Sequence, residues 1–402
     1  LRARERLNDV MLDGERHRLV TDSFAVEIHP AAAETATPDR RPGLRQARVA
    51  ECSHVIAASL AGSILGAMGA AVTKLEDPDR LDVYRRQGPF IDGVKDIEWS
   101  GYFAIHNFSK ESRTFDSTAT LASVVASADA VIENWGTRRS VREGVDAATV
   151  AAGSGAKVAI SSSGFGHTGP YREYGAYAYG ISAHCGITDS VSSEPSQLAS
   201  QDRFPWPDYA SAYAIATAVA AGLVGRRLDT AGRMGAIEVD ISMEEVVLSR
   251  LAGIALEASP QPRRVLPDPD GGTVLRAGDY LLQACDGDVA LSVHGQPLRL
   301  AASELHALRD SERSEAATLL RERGVAAEAV SPLDEIVRDP HLNEREFFTP
   351  VEHLLWGRRR LIGIPWRQAR GHALPLRPPP LLGATSAGIA PARQPHGTKE
   401  TR

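Results

Sequence analysis

Cysteine is scarce in this chain. Three are present among 402 residues, Cys52, Cys185 and Cys285, and none stands in C-x-x-C spacing. An odd, scattered set argues against a disulfide framework and a zinc site, and fits a reducing, cytoplasmic compartment. An excess of positive charge is missing too: 45 Lys and Arg against 51 Asp and Glu leave a formal net charge of −6. That balance argues against sequence-independent binding of nucleic acid, while a small anion held by local arginines stays open. A membrane span is imitated but not met. Residues 52–73 carry no Asp, Glu, Lys or Arg, and a spanning helix needs about 20 predominantly apolar residues. Small residues and serines dilute this run, and its end, "AAVTKLE", reads as a strand, so a buried helix followed by a strand is expected. The charged start "LRARERLNDVMLDGERHR" is unlike a signal peptide. A first residue of Leu rather than Met is what a piece of a longer protein gives.

What is present is an ordinary globular composition, 43% hydrophobic and 24% charged. The length allows two or three domains. Residues 1–47 stand apart: a charged, helix-like segment, the short strand "SFAVEIHP", then the linker-like "AAAETATPDRRPG". From 48 the pattern alternates. "ARVAEC", "AAVTKLE", "DAVIEN" and "KVAISS" read as strands, with helices over about 54–69, 118–128 and in "DAATVAAGS". Strands alternating with helices predict a parallel sheet covered on both faces, a Rossmann-like α/β domain over 48–235. It includes the alanine-rich helix of 209–227. "GAIEVDIS" gives a further strand and "MEEVVLSRLAGIALEA" a further helix. A linker and a smaller α+β domain are expected over 236–333, with paired strands turning at Asp286-Gly287 and helices over about 302–323. A return segment over 334–384 and a disordered tail over 385–402 complete the expected organisation.

"SSSGFGHTGPY" sets Gly164, Gly166 and Gly169 in G-x-G-x-x-G spacing behind a strand. A dinucleotide site would require the third glycine to open a helix, and an acidic strand end about 20 residues on. Pro170 follows Gly169 directly, and 186–202 is loop-like in composition. The motif therefore reads as a glycine-rich loop at a strand's carboxyl end, where open α/β sheets hold ligands. In "RFPWPDYASAY", Asp208 stands at the head of the alanine-rich helix. It serves there as a helix cap or as a carboxylate nucleophile; both roles hold only if the carboxylate faces a cleft.

Six ordered segments together resemble the family III CoA-transferases, the CaiB/BaiF group. They are "GSILGAMGAAVTKLEDP", "HNFSKESRTFD", "ADAVIENWGTRRSVREG", "ISSSGFGHTGPY", "FPWPDYASAY…GLVGRRLDTAGRMGAIEVDIS" and "LDEIVRDPHLNEREFF", spread over roughly 48–384. The resemblance implies a large Rossmann-like domain, a smaller domain and two identical chains interlocked as rings. It implies transfer of CoA from an acyl-CoA to a carboxylic acid, with CoA a substrate and no metal or redox cofactor. The family's catalytic aspartate falls on Asp208, which would form an acyl-aspartyl anhydride and then an aspartyl-CoA thioester. Gly164, Phe165, Gly166 and Gly169 would form the loop beside the thioester, with backbone N–H groups near the oxyanion. Lys110, Asn134, Trp135 and Arg142 fall on family positions expected to meet CoA; Arg138 and Arg139 add positive charge beside them.

The chain departs from the family pattern at several points. Asp77 follows the glutamate of "KLEDP" where a cation is common, and would repel phosphate. "ENWGTR" lacks a Pro-Gly turn, "RLDTAGRMG" is one residue longer than the family's R-x-x-T-G-x-G, and only "DGGT" stands where some members carry a glycine-rich small-domain loop. These leave a non-catalytic acyl-CoA-binding protein as an alternative. An acyl-CoA racemase is a further one, although Ala176 and Tyr177 stand where its His-Asp pair belongs. His167 and His184 are nearby and read as loop or core histidines.

Overall fold

The computed structural model describes residues 17–21, 24–30, 44–45, 47–153, 158–190, 204–229, 234–251, 263–265, 273–367 and 374–385. Two compact units result, one of 1–189, 199–252 and 346–402, the other of 190–198 and 253–345.

The larger unit begins with an antiparallel hairpin, β1 (His17–Thr21) and β2 (Phe24–Pro30). The elements β3 (Arg48–Cys52), α1 (Ala57–Ala67), β4 (Ala71–Glu76), α2 (Gly101–His106), β5 (Glu111–Thr114), α3 (Thr118–Ser127) and β6 (Ala130–Glu133) follow. Next come α4 (Thr137–Glu143), α5 (Ala147–Ala152), β7 (Val158–Ser163), α6 (Ala178–His184), α7 (Ile187–Ser190), α8 (Trp206–Leu228), β8 (Met234–Ser242) and α9 (Met243–Leu251).

Their strands form one sheet of order β1-β2-β8-β7-β6-β3-β4-β5. The six strands from β8 to β5 are mutually parallel. Numbered among themselves from β3, they run 3-2-1-4-5-6 from β5 to β8, the doubly wound order. Burial on both faces explains why β6 is apolar almost throughout. Val131 and Ala159 face Leu121, Val125 and Val150 from α3 and α5. Their neighbours Ile132 and Ile160 face Ile64, Ile215 and Val219 from α1 and α8 on the other side. β2 pairs antiparallel with β8 and covers an edge that would otherwise present unpaired backbone groups.

The uncharged run of 52–73 becomes α1 and the start of β4, as its small residues predict. Ten residues of α1 are buried, and no helix among the described residues is long and apolar enough to cross a membrane. Gly62 is required by close approach: a Cβ there would strike the Glu51 carboxylate.

The smaller unit carries β9 (Arg263–Arg264), β10 (Thr273–Leu275), β11 (Gly278–Gln283), β12 (Asp288–Val293), β13 (Leu298–Leu300), α10 (Ala302–Asp310), α11 (Arg313–Glu322), β14 (Ala326–Ala329), α12 (Leu333–Ile336) and α13 (Pro340–Glu344). Its four-stranded sheet is ordered β14-β12-β11-β9. The expected hairpin at Asp286-Gly287 is present, with Gln283 opposite Asp288. Leu282, Val289, Leu305 and Leu320 lie in one separate core.

The chain then returns to the larger unit through the hairpin β15 (Phe348–His353) and β16 (Gly357–Ile362). Residues 374–385 run without helix or strand, held by Ser109 and Ser112. The units thus divide near 252 and 345, where the sequence suggested 235 and 333. β8 and α9 stay with the larger unit because β8 pairs in register with β7. The helix expected before β1, most of "DGGT", "TAGR" and the tail beyond 385 lie outside the described residues.

Candidate active site

The chain order of the parallel strands reverses between β3 and β6, the point at whose carboxyl ends sheets of this order hold a ligand crevice. Asn134, just past β6, ties its two sides together. Its Oδ1 accepts the His54 N–H at 2.8 Å, and its Nδ2 donates to the His54 carbonyl at 2.9 Å. The chain then passes through Val55, at φ +65°, into α1.

Asp208 lies in the first turn of α8, 7% exposed. Its carboxylate accepts the backbone N–H groups of Ala57 and Ala178, the first residues of α1 and α6. Burial raises its pKa from 3.8 to about 6, against the pull of those two hydrogen bonds. A carboxyl of that pKa is mostly ionised at pH 7 and more basic than an exposed one. It is also short of water, which favours attack on an electrophile over solvation.

The glycine loop reaches Asp208 through one intermediary. A Cβ on Gly164 would stand 2.7 Å from the Cβ of Ala176, and Ala176 is two residues before Ala178. Gly164 therefore lets the segment that starts α6 lie flat on the loop. Gly166, at φ +81°, passes over Asp240, whose carboxylate oxygens both accept the His167 N–H at 3.0 Å. Phe165 packs among Tyr171, Tyr174 and His184. Gly169 is exposed at φ +82° with nothing close. The loop does not open a helix: α6 starts fourteen residues after Gly164, at Ala178.

The cations divide. Arg138 and Arg142 project from α4, 85% and 62% exposed, beside Glu173 and Glu143. Arg139 is held, with Nη2 2.9 Å from Asp77 and its guanidinium 4.0 Å from the Trp135 ring centroid. Trp135 also meets His54 edge-on. Lys110 is displaced from the expected role. It is 4% exposed, and its Nζ donates to Glu51, Asn107 and the Ser59 carbonyl. Glu51 also takes Lys74, which reaches Asp82 at 3.2 Å. All the donors of Lys110 are engaged inside this ion cluster, so none faces a phosphate.

Several residues beside Asp208 carry no local motif. Tyr84, Tyr102, His106 and Tyr209 form a line of rings, with the His106 Nε2 3.0 Å from the Tyr209 hydroxyl. Only the position of Tyr209 next to Asp208 could have signalled it. Glu133, at the end of β6, is fully buried with Oε1 3.3 Å from the His167 Nε2. Burial pushes its carboxyl up to about 8. His184 pairs with Glu244 at 2.9 Å.

A family model described as CoA-transferase family III matches residues 44–305 and 301–386. The succinate–glutarate CoA-transferase of Agrobacterium fabrum is 28% identical over 61% of this chain and 66% of its own length. The acetyl-CoA:oxalate CoA-transferase of Acetobacter aceti is 31% identical over 35% of this chain and 36% of its own. A probable CoA-transferase of Mycobacterium tuberculosis is 27% identical over 85% of this chain, which spans only 47% of that relative. The chain thus covers from about a third to two thirds of the length of these relatives. Among solved structures, a CaiB/BaiF family protein of Brucella suis shares the fold with a TM-score of 0.67 at 23% identity, covering 86% of this chain and 97% of that one. With the family model covering most of its length, this chain belongs to CoA-transferase family III.

Proposed function

We propose that the chain transfers CoA from an acyl-CoA to a carboxylic acid through Asp208. The observation that carries this reading is the Asp208 carboxylate, buried yet ionisable, held by two helix-start N–H groups beside the glycine loop. In the first step a carboxylate oxygen attacks the thioester carbonyl, the C–S bond breaks, and CoA leaves as thiolate, giving an acyl-aspartyl anhydride. The thiolate attacks the aspartyl carbonyl and releases the donor acid, leaving an aspartyl-CoA thioester. The acceptor carboxylate attacks that thioester and forms a second anhydride. Returning thiolate attacks its acceptor carbonyl, restoring Asp208 and giving the new acyl-CoA. The Ala57 and Ala178 N–H groups, which bond the Asp208 carboxylate, would hold the oxygen that gains charge when thiolate or acceptor attacks the aspartyl carbonyl.

Trp135 and the arginines of α4 hold the CoA nucleotide in this reading, with Arg138 and Arg142 facing its phosphates. Lys110 takes no part. A second copy of the chain completes the assembly. Tyr174, Tyr177 and Tyr179, 61%, 71% and 51% exposed beside the loop, support a covering partner.

Incubating the protein with acyl-CoA, trapping with hydroxylamine and locating the modified residue by mass spectrometry tests the reading. A hydroxamate on Asp208, absent in Asp208→Ala, supports it. CoA binding without any adduct supports the non-catalytic alternative.

A further inference from the structure

Five aromatic rings form a continuous line past Asp208. From Tyr102 to Tyr84, His106, Tyr209 and Phe204, successive centroids stand 5.1, 5.5, 5.7 and 5.0 Å apart. Two independent ties place the line at the carboxylate. Tyr209 follows Asp208 in α8. At the other side, one oxygen of Asp82 accepts the N–H groups of both Tyr84 and Val55, at 3.0 and 3.1 Å. Val55 is two residues before Ala57, whose N–H holds Asp208. Four of the rings are accessible: Phe204 is 60% and Tyr102 39% exposed, and Tyr84 and Tyr209 are half-buried, while His106 is buried between them.

The line carries no charge at neutral pH. His106 places Nδ1 2.8 Å from the Tyr102 carbonyl, so that nitrogen bears the proton and Nε2 accepts from the Tyr209 hydroxyl. Burial pushes this imidazole down to about 4. Among the described residues, Arg85 beside Tyr84 and the buried lysines are committed elsewhere. Arg85 is bound to Glu76 and Glu98 and lies over Phe103, while Lys74 and Lys110 lie in the buried cluster. An acyl group with a second carboxylate would lose water against neutral rings that offer it no charged partner. An apolar acyl group would gain ring contact.

We propose that this ring line is the acyl subsite, and that it takes an uncharged apolar acyl group in preference to one ending in a second carboxylate. The proposal rests on the reading that Asp208 is acylated, and its test separates the two. Binding of benzoyl-CoA, succinyl-CoA and free CoA is measured by calorimetry on Asp208→Asn, which cannot form the anhydride. Benzoyl-CoA is expected to bind about tenfold more tightly than succinyl-CoA. Adding Tyr84→Ala or Phe204→Ala removes most of that preference and leaves the affinity for free CoA unchanged. Tyr84→Phe retains it, which separates lost ring contact from a damaged fold. Equal or tighter binding of succinyl-CoA overturns the proposal, as does a preference that survives both alanine variants. Hydroxylamine trapping on the unmodified protein reads the other question. A benzoyl preference with no adduct overturns acylation and leaves the subsite standing; an adduct formed best from succinyl-CoA does the reverse. Failure of all three ligands to bind overturns both.

Discussion

The guanidinium of Arg139 joins Asp77 to Trp135, its Nη2 2.9 Å from the carboxylate and its central carbon 4.0 Å over the indole. Asp77 is therefore a partner that turns Arg139 inward, rather than a lone negative charge beside a phosphate. Releasing that arginine should strengthen CoA binding. Asp77→Asn is expected to tighten the CoA Kd by about threefold at low salt, since a partly exposed ion pair is worth about 1 kcal/mol or less. The gain should shrink at high ionic strength. Calorimetry at two salt concentrations checks it, and an unchanged or weaker Kd at low salt would count against a phosphate near Arg139.

On the proposed reading, Asp208 sets function against stability. Its folded pKa of about 6 exceeds the ordinary 3.8, so the fold binds an extra proton between those values. Stability contributed by the group falls as pH rises through that window. Asp208→Asn should abolish transfer and stabilise the fold at pH 7 by on the order of 2 kcal/mol. With Asp208 as the proposed nucleophile, the transfer rate of the unmodified protein should fall below about pH 6 as that carboxylate is protonated. Denaturant unfolding and a pH–rate profile measure both; a destabilised Asn variant would mean that the carboxylate is structural.

The glycine loop should separate by position. Gly164→Ala sets a new methyl 2.7 Å from the Ala176 Cβ and pushes on the segment that supplies the Ala178 N–H to Asp208. A lowered kcat with little change in KM is expected, by a factor on the order of 10–100 if one oxyanion donor is misplaced. Gly169→Ala meets open space; its left-handed backbone alone should cost about 1 kcal/mol with kcat retained. Steady-state kinetics on the two variants distinguishes them, and equal effects would sink the assignment.

The sheet was legible because its strands are buried on both faces, so "DAVIEN" and "KVAISS" each carry an unbroken apolar run, AVI and VAI, between clear helices. β5 escaped notice because "ESRT" at the sheet edge is polar and has no apolar pattern. α2 is six residues long, too short for a helical period to show. Asp208 was singled out by its place at the head of an alanine-rich helix and by the segments around it, and the fold sets it in that helix's first turn. The ring line was not, since Tyr84, Tyr102 and Phe204 are brought to Asp208 only by tertiary packing. Lys110 misled for the opposite reason. A lysine in a short motif gives no sign of burial, whereas Gly62, Glu51 and Lys74, far apart in sequence, together enclose it.

That enclosure makes Lys110 a stability residue. Lys110→Ala leaves Glu51 underpaired in the core and is expected to cost about 3–5 kcal/mol. Arg138→Ala, on an 85% exposed side chain, should change stability by less than about 0.5 kcal/mol while weakening CoA binding in a salt-dependent way. Thermal unfolding of both variants tests the contrast. A normally folded Lys110→Ala protein with a raised KM for acyl-CoA would return this lysine to the binding site.

Glu133 gives a titration that needs no substrate. Burial, opposed by the Ser161 and Trp135 hydrogen bonds and aided by the Asp146 and Asp240 charges, holds its carboxyl at about 8 against an ordinary 4.5. The fold therefore keeps this group neutral at pH 7, facing the neutral His167 ring 3.3 Å away. Raising pH from 4.5 through 8 progressively removes stability, because the unfolded chain releases the proton first. Glu133→Gln removes that dependence. Its stability relative to the unmodified protein should grow from pH 5 to pH 8 by on the order of 2–4 kcal/mol and level off above. Urea unfolding at a series of pH values reads the difference directly. A gap that stays flat across this range would mean that Glu133 is ionised in the fold, paired with a charged His167 across the base of the glycine loop.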